Sequence, residues 1–365
     1  MIIKKANLFH ILKNLHLSKE EPISIVHFLT NRCNARCSFC FIDFDNQETF
    51  SEELSLDEIN KLTKTFGNSL LNVNLTGGEP FARKDIISIA KSYIDNTTIQ
   101  SIYITTNGSL PDRILDFAKT ISKYKNDIEL TFQISIDDFP EKHNSVRKIK
   151  NLFESCLDSY FKLKKLGNNI NPIVSITVNE ENCENINNIF DYLFYTCGID
   201  SIKCTIVRDE GVYKTADFKR KKIFEAYVEL TNKIKFYLKE NKLKNYNLNS
   251  FQGKLHKKKD HISWEMIKKM YLNPKYISPC HAGSLFGIIT AKGMIYPCEI
   301  LEKKLLGSLR DHDMNFMKIW KNIKTTEIKT FIKKTKCNCT YECALTYNIL
   351  GNLRYQPALA ASIFD

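Results

Sequence analysis

Hydrophobic segments of two lengths alternate along the first 242 residues. Short runs rich in β-branched residues are typical of buried strands, and longer stretches with apolar residues every three or four positions are typical of amphipathic helices. This alternation predicts a parallel sheet with crossover helices, and six such units predict an incomplete (β/α)6 barrel. The predicted strands lie at 25–30, 73–76, 102–106, 132–137, 173–178 and 202–207, and the predicted helices near 57–66, 84–95, 111–124, 148–166, 184–196 and 217–240.

The two ends of the chain depart from this alternation. Residues 1–24 predict an N-terminal helical extension, because Ile3, Leu8 and Ile11 mark one helical face. That helix either lies on a membrane surface or caps the main domain. Residues 243–279 are polar and predict a linker or an insertion over the barrel mouth. Residues 280–365 form a second predicted domain, which carries five of the twelve cysteines.

Composition and charge narrow the class of protein. A hydrophobic content of 43% excludes a disordered chain. The net charge of +12 raises the question of nucleic-acid binding, but no nucleic-acid motif accompanies it, so no nucleic-acid partner is expected. The sequence has neither an apolar run of membrane-spanning length nor a signal peptide. Twelve cysteines therefore predict a reducing, cytoplasmic location and metal ligation.

Three cysteines follow the first predicted strand at C-x3-C-x2-C spacing: Cys33, Cys37 and Cys40. Three thiolates on one loop can hold a cubic iron–sulfur cluster by three of its four irons, which leaves one iron open for a ligand. Zinc is the alternative metal, with His27, Asp43 or Asp45 as a fourth ligand. A ferredoxin-type loop is less suitable, because its cysteines are spaced differently and include a fourth.

A double glycine follows the second predicted strand in Thr76-Gly77-Gly78-Glu79-Pro80. Glycines let the backbone approach a ligand, although a tight turn explains them equally well when they stand alone. The cysteine spacing, an aromatic residue (Phe39) before the third cysteine and this segment one strand later together resemble the radical S-adenosylmethionine (SAM) enzymes. The resemblance implies that SAM binds the open iron and is cleaved to a 5′-deoxyadenosyl radical. It also implies that Phe39 packs beside adenine and that Gly77, Gly78 and Glu79 receive the SAM amino group.

Further polar residues stand at the ends of the later strands. Alternation places Ser135 and Asp137 on one face of strand 4, and the family resemblance makes them candidates for the ribose or carboxylate of SAM. Arg147 can clamp a carboxylate, or it can form a surface salt bridge. Asn179 and Arg208 follow strands 5 and 6, and they are further candidates for SAM or substrate contacts.

The second cysteine group is Cys280, Cys298, Cys337, Cys339 and Cys343. The C-x12-G-x4-C layout of its first half resembles SPASM-type auxiliary-cluster domains, and the short second half resembles the single-cluster twitch variant. The resemblance implies one closed [4Fe–4S] cluster with one cysteine to spare. Cys339 and Cys343 share a helical face if that segment is helical, which makes Cys337 the candidate spare. A structural zinc site is the alternative.

Taken together, the resemblance implies an enzyme that uses SAM and two [4Fe–4S] clusters to abstract hydrogen from a substrate carbon. One hypothesis is oxidation or rearrangement of a small molecule that is sugar-like or nucleotide-linked; the other is crosslinking or epimerisation of a ribosomal peptide. Only 24 residues precede strand 1, too few for a fused leader-binding domain, which favours the small molecule. A flavodoxin or ferredoxin is the expected electron donor, attracted by positive charge. A non-enzymatic iron–sulfur carrier would have no use for the Gly-Gly-Glu segment.

Overall fold

The computed structural model describes residues 7–167, 169–209, 211–248, 250–273 and 275–362. Its described strands form one nine-stranded sheet in the order β6-β5-β4-β3-β2-β1-β7-β8-β9, and neighbours from β6 to β7 are parallel. The strands are β1 Ser24–Thr30, β2 Asn72–Gly77, β3 Ser101–Thr106, β4 Glu129–Ser135, β5 Ile170–Val178, β6 Ile202–Ile206, β7 Phe286–Ile289, β8 Met294–Tyr296 and β9 Gly307–Ser308. The predicted α/β fold with six successive parallel strands is confirmed.

Helices follow each of the six parallel strands and cover one face of the sheet. Most predicted helices begin and end within a few residues of the observed ones. The α-helices are α1 Leu8–Lys13, α2 Leu56–Thr63, α3 Ile86–Asn96, α4 Pro111–Tyr124, α5 Pro140–Arg147, α6 Leu152–Leu166, α7 Ile186–Asp191, α8 Asp217–Lys239, α9 Phe251–Leu272, α10 Phe316–Trp320, α11 Ile323–Lys334, α12 Glu342–Leu350 and α13 Gln356–Ala361.

Strand alternation separates an apolar face from a polar one. On β3, Ile102 and Ile104 are fully buried against the helices, whereas Ser101, Tyr103 and Thr105 face the inside of the curved sheet. The neighbouring strands β2 and β4 follow the same rule, so the core lies between sheet and helices and the polar side chains of these strands face the lumen. The lumen-facing side chains of β2 and β4 are Asn72, Asn74, Thr76, Glu129, Thr131, Gln133 and Ser135.

The C-terminal region extends the barrel sheet. Strand β7 pairs in parallel with β1, with Ser24 opposite Phe286, and β7 and β8 form an antiparallel hairpin. Gly293 has φ +81° at the hairpin turn, where a Cβ would also meet Leu54 at 2.9 Å. Cys280 precedes this hairpin and Cys298 follows it, so the hairpin connects the two cysteines.

Residues 243–279 differ from the prediction of an irregular polar segment, because they contain the 22-residue helix α9. Ser250 caps its N-terminus by accepting a hydrogen bond from Gly253 N. Helix α9 packs against α12 and lines the lumen beside β6, while Tyr347 on α12 hydrogen-bonds Ser24 and Asn74. The insertion and the C-terminal domain therefore cover the opening between the two ends of the six-stranded sheet.

The N-terminal extension contains α1 and a π-helical turn over Asn14–Ser18, while residues 1–6, including Ile3 of the predicted helical face, lie outside the described residues. Ile11 is buried, whereas Leu8 and Phe9 are largely exposed. Both sequence interpretations of this helix remain open. In the described part of the chain, no helix is long and apolar enough to cross a membrane.

Candidate functional site

One cavity of about 1010 Å³ runs along the lumen, from the N-terminal ends of the strands at Ile23 and Asp127 to the cysteine loop at their C-terminal ends. All three cysteines of the first group line it. Of the nine residues predicted to contact SAM or substrate, six also line it, and three do not. The six are Phe39, Gly77, Gly78, Ser135, Arg147 and Arg208; the three are Glu79, Asp137 and Asn179. Because ligand sites in parallel α/β sheets lie at this end of the strands, the cavity is the candidate active site.

The cysteine loop is held in place by backbone contacts to two neighbouring segments. Arg36 N donates to Arg147 O at 3.1 Å, and Gly78 N donates to Thr30 O at 2.7 Å. A Cβ on Gly77 would lie 2.1 Å from Thr30 O, and one on Gly78 would lie 2.3 Å from Arg32 O. Both glycines are therefore required by the close approach of the loop's own backbone, besides their position on the cavity wall.

The three thiols are mostly shielded from solvent. Burial raises the pKa of Cys33 to about 11, and burial also raises the pKa values of Cys37 and Cys40. Asn107 Nδ2 lies 3.7 Å from Cys33 Sγ, so it can donate to the sulfur. Buried thiolates need a nearby positive charge, which an iron–sulfur cluster supplies, and thiolates are its usual ligands. The residues present therefore fit such a cluster.

The geometry is less favourable to the zinc alternative. Across the described residues, no group of three His, Cys, Asp or Glu side chains is arranged to hold a single ion. A cluster does not require such a group, because each thiolate binds a different iron. His27 lies on the core side of β1, where its Nδ1 is 2.8 Å from Tyr93 Oη, and Asp43 accepts hydrogen bonds from Asp45 N and Asn46 N.

Asp137 and Arg147 form a buried ion pair beside the loop. Arg147 Nη2 and Nε lie 2.6 and 2.8 Å from Asp137 Oδ2. Arg147 is therefore not a surface salt bridge, and its guanidinium lies 5.7 Å from the centre of the Phe39 ring. Asp137 also accepts from Thr177 N at 2.9 Å, so its side chain faces protein groups. Ser135 remains on the cavity wall.

Glu79 is fully buried and is engaged by the protein itself. Its carboxylate accepts hydrogen bonds from Phe81 N at 3.0 Å, Thr106 Oγ1 at 2.9 Å and Asn107 N at 2.7 Å. Burial raises its pKa to about 7, against the effect of these hydrogen bonds. That Glu79 receives the SAM amino group stays a prediction, and the structure adds a second role, because the Glu79 oxygens join the ends of β2 and β3.

We expect Glu79→Ala to destabilise the protein rather than to affect only SAM binding. The substitution leaves three buried donors without an acceptor, at a cost of about 1–3 kcal/mol for each such group. Thermal unfolding of the purified protein measures this loss, and Glu48→Ala, at an exposed position in the cysteine loop, is the control. A variant with unchanged stability but weaker SAM binding would contradict the structural role and leave Glu79 with SAM binding alone.

Asn179 and Arg208 lie at the same end of the barrel but make different contacts. Asn179 Oδ1 accepts from Glu181 N at 2.8 Å and its Nδ2 donates to Thr177 O, so it orders its own loop. Arg208 lines the cavity and forms an ion pair with Glu299. Its guanidinium lies 5.1 Å from the Tyr341 ring centre, which links β6 to the C-terminal domain.

The second cysteine group divides into two parts. Cys280 and Cys337 share a hydrogen bond, which raises the pKa of Cys280 and lowers that of Cys337 to about 7, and Cys339 lies near Cys280. Cys298 and Cys343 instead lie near the Tyr341 hydroxyl, and Cys343 lines the cavity. The expectation that Cys337 is the spare differs from this arrangement, which pairs Cys337 with Cys280.

Sequence reasoning missed several polar residues deeper in the lumen: Ser175, Lys203, Lys259 and Asp260. A usable signal was present, because Lys203 and Thr205 alternate with apolar residues in β6 and so share its lumen face. Lys259 and Asp260 could not be found in this way, since they lie on α9, within the segment expected to be irregular.

Two family models match the chain. Residues 28–193 match the radical SAM superfamily, and residues 280–344 match the iron–sulfur cluster-binding domain called SPASM. These matches span the cysteine loop through β5 and the whole second cysteine group. The radical SAM match implies SAM and a SAM-binding [4Fe–4S] cluster as cofactors, and the SPASM match implies auxiliary iron–sulfur binding. Both cofactor predictions are confirmed.

Individual proteins agree with this assignment. The chain is 30% identical to Fe-coproporphyrin III synthase of Methanosarcina barkeri over 183 residues, which are 49% of this chain and 43% of that protein. It is also 29% identical to the sporulation killing factor maturation protein SkfB of Bacillus subtilis over 175 residues, which are 47% of this chain and 39% of that protein. The chain thus spans less than half the length of these relatives.

A solved structure supports the fold over nearly the whole chain. The AdoMet-bound structure of anSMEcpe has a TM-score of 0.59 with 18% identity, and the match covers 94% of this chain and 96% of that one. The likeness includes both the barrel and the C-terminal region. With both family models and this fold in agreement, the chain belongs to the radical SAM superfamily and carries a SPASM-type iron–sulfur domain at its C-terminal end.

Proposed function

We propose that this protein cleaves SAM reductively and uses the resulting radical to remove a hydrogen atom from a carbon of a substrate bound in the lumen. The observation that carries the proposal is that the three half-buried cysteines of the first group line the same cavity as the predicted SAM-binding residues of β2 and β4. The cavity volume of about 1010 Å³ lies at the upper end of the range of ligand pockets, about 300–1,000 Å³, so the lumen is large enough to receive a small-molecule ligand.

The roles of individual residues follow from their positions. Cys33, Cys37 and Cys40 would hold a four-iron cluster, and with SAM at the open iron this group supplies a 5′-deoxyadenosyl radical. Phe39 would pack beside adenine and Ser135 would bind a ribose hydroxyl. The backbone carbonyls at Gly77 and Gly78, together with the Glu79 carboxylate, would receive the SAM amino group, since three hydrogen bonds leave this carboxylate one acceptor position.

We assign the auxiliary cluster first to Cys280, Cys337 and Cys339, because these three are mutually close. Cys298 and Cys343 are the candidates for its fourth ligand. Arg208 contacts Tyr341 and pairs with Glu299, which ties this domain to the barrel. The cluster would stabilise the domain and carry an electron to or from the substrate. An acidic flavodoxin or ferredoxin in the cytoplasm would supply electrons, favoured by the +12 net charge.

The substrate we favour is a small molecule, sugar-like or nucleotide-linked, that is oxidised or rearranged. The lumen supports this choice, since its walls on β2, β3 and β4 offer many hydrogen-bonding side chains to a compact ligand. Peptide modification is the second candidate. The similarity to SkfB, a maturation protein, favours it, and a peptide-bound anSMEcpe structure shares the fold.

Anaerobic reconstitution tests the proposed function. We expect the protein to bind about eight irons, as two four-iron clusters require. With SAM and a strong reductant, it should release 5′-deoxyadenosine and methionine in equal amounts even without substrate. Iron near four atoms per chain would remove the auxiliary cluster from the proposal. Stoichiometric zinc, or SAM left intact by protein with its full iron content, would refute the proposed function.

A further inference from the structure

Ser175 is a buried hydroxyl with no protein partner. It lies on β5, is 2% exposed and lines the cavity, yet its Oγ has no hydrogen-bond partner among the described residues. The strand register places it directly between Ser135 on β4 and Lys203 on β6. A buried polar group without a partner costs about 1–3 kcal/mol, so its presence on a cavity wall points to a ligand that completes its hydrogen bonds.

Two lysines share one carboxylate beside this serine. Lys203 Nζ lies 3.1 Å from Asp260 Oδ2, and Lys259 Nζ lies 2.6 Å from Asp260 Oδ1. Tyr246 Oη also donates to Asp260 Oδ2 at 2.5 Å. Burial acts to raise the pKa of Asp260, but the two lysines and these hydrogen bonds lower it overall. Asp260 is therefore ionised and occupied by three donors.

The lysines keep capacity for a further acceptor. Each ammonium group has three N–H donors, and Asp260 accepts one from each. Lys259 also donates to Thr346 Oγ1 at 3.3 Å, and Glu129 on β4 faces Lys203, although burial raises the pKa of this glutamate. Two cations thus share the Asp260 carboxylate, in a lumen where an unpaired charge is costly.

We propose that Ser175, Lys203 and Lys259 form a substrate subsite, here called the lumen subsite, which binds an anionic group, either a carboxylate or a phosphate. The inference rests on the proposed function in one respect, namely that the anion belongs to the substrate. Charge-assisted hydrogen bonds from the two lysines would supply most of the affinity, and the Ser175 hydroxyl would orient the anion.

The position of the lumen subsite suits a substrate. Ser175 is the register neighbour of Ser135, the residue proposed to bind the SAM ribose, so a molecule anchored here lies next to SAM. Lys259 and Asp260 come from α9, which closes the open side of the barrel. The insertion helix thereby contributes directly to substrate selection, in addition to its packing role.

Binding of simple anions to the reconstituted, SAM-loaded protein tests this inference by anaerobic calorimetry. The probes are pyrophosphate and succinate, and the tighter one identifies phosphate or carboxylate as the preferred group. We expect Lys203→Gln to weaken binding about tenfold or more, as loss of a charge-assisted hydrogen bond does. Ser175→Ala should weaken it about threefold without loss of stability, because this hydroxyl has no protein partner to lose.

Lys235→Gln is the matched control. Lys235 also pairs with an acid on α9, at 2.5 Å from Glu265, and is 22% exposed compared with 23% for Lys203, but it does not line the cavity. Lys203→Arg, which keeps the charge, should retain binding. Absence of anion binding to the unmodified protein, or equal loss in Lys203→Gln and Lys235→Gln, would overturn the inference.

The same variants separate the subsite from SAM binding and from the proposed function. SAM affinity, measured by equilibrium dialysis, should remain unchanged in Lys203→Gln and Ser175→Ala; an equal fall in SAM and anion affinity would assign these residues to SAM and refute the subsite. Anion binding by a protein that cannot cleave SAM would support the subsite and refute the proposed function. SAM cleavage without anion binding would support the proposed function and refute the lumen subsite.

Discussion

Replacement of Cys33, Cys37 and Cys40 by alanine is expected to abolish 5′-deoxyadenosine release and to reduce the iron content from about eight atoms per chain to about four. The three thiols line the SAM cavity together, whereas the second cysteine group is centred on the contact between Cys280 and Cys337. Loss of the first cluster should therefore leave the second intact. Iron analysis and chromatography of the reaction products measure the two effects.

Two further double variants test whether the effect is specific to the first cysteine group. Cys183→Ala with Cys197→Ala removes two cysteines that belong to neither group, and it should keep both the iron and the activity. Cys280→Ala with Cys337→Ala should lose the other four irons but retain 5′-deoxyadenosine release. If the first triple variant still cleaves SAM, or if the Cys280 and Cys337 variant loses all of its iron, the division of labour between the two groups is wrong.

The sequence was most informative where local rules determine structure. The six successive strands β1 to β6 were predicted because β-branched runs alternate with amphipathic helices, and β2, β3 and β4 also alternate buried with half-buried residues. Helix α9 was missed, since its sequence, Phe251–Leu272, is interrupted by lysines and has apolar contacts on more than one side. Its stability comes from packing against α12, more than 70 residues further along the chain, which local periodicity cannot reveal.

Within the candidate site, residue types and motifs predicted which residues lie near the cavity better than they predicted what each side chain contacts. Phe39, Ser135 and Arg147 lie on the cavity wall as expected. Glu79, although part of the same recognisable motif, turns its carboxylate toward the end of β3, where Thr106 Oγ1 and Asn107 N donate to it, and it also accepts from Phe81 N in its own loop. The direction of a single side chain depends on partners from other strands, and a motif does not specify them.

Loss of the buried charge on Asp137 should cost about 3–5 kcal/mol of stability, because Asp137→Asn leaves Arg147 as a buried cation without its counter-ion. Both side chains are less than 8% exposed and are joined by two short hydrogen bonds. With an unfolding entropy of about 2.1 cal/mol/K per residue, such a loss lowers the melting temperature of a chain of this length by about 4–7 °C. Thermal unfolding of the anaerobically reconstituted protein measures the shift.

The Asp137–Arg147 ion pair should also affect iron binding by the first cysteine group, because backbone carbonyls at the end of α5 accept hydrogen bonds from the cysteine loop. Arg147 O accepts from Arg36 N at 3.1 Å, and Val146 O accepts from Ser38 N at 3.3 Å. Asp137→Asn should therefore reduce the iron bound by the first cysteine group as well as the melting temperature. A double variant, Asp137→Leu with Arg147→Met, removes both charges and should recover most of the stability, since two apolar residues leave no uncompensated charge.

An exposed ion pair on the same helix provides the comparison. Lys142 Nζ lies 2.6 Å from Glu181 Oε2, but both side chains are at least 40% exposed, so solvent screens their attraction. Glu181→Gln should cost less than about 1 kcal/mol and leave the iron content unchanged. If Asp137→Asn proves no more damaging than Glu181→Gln, burial does not strengthen the Asp137–Arg147 pair, and the support of the cysteine loop must come from backbone contacts alone.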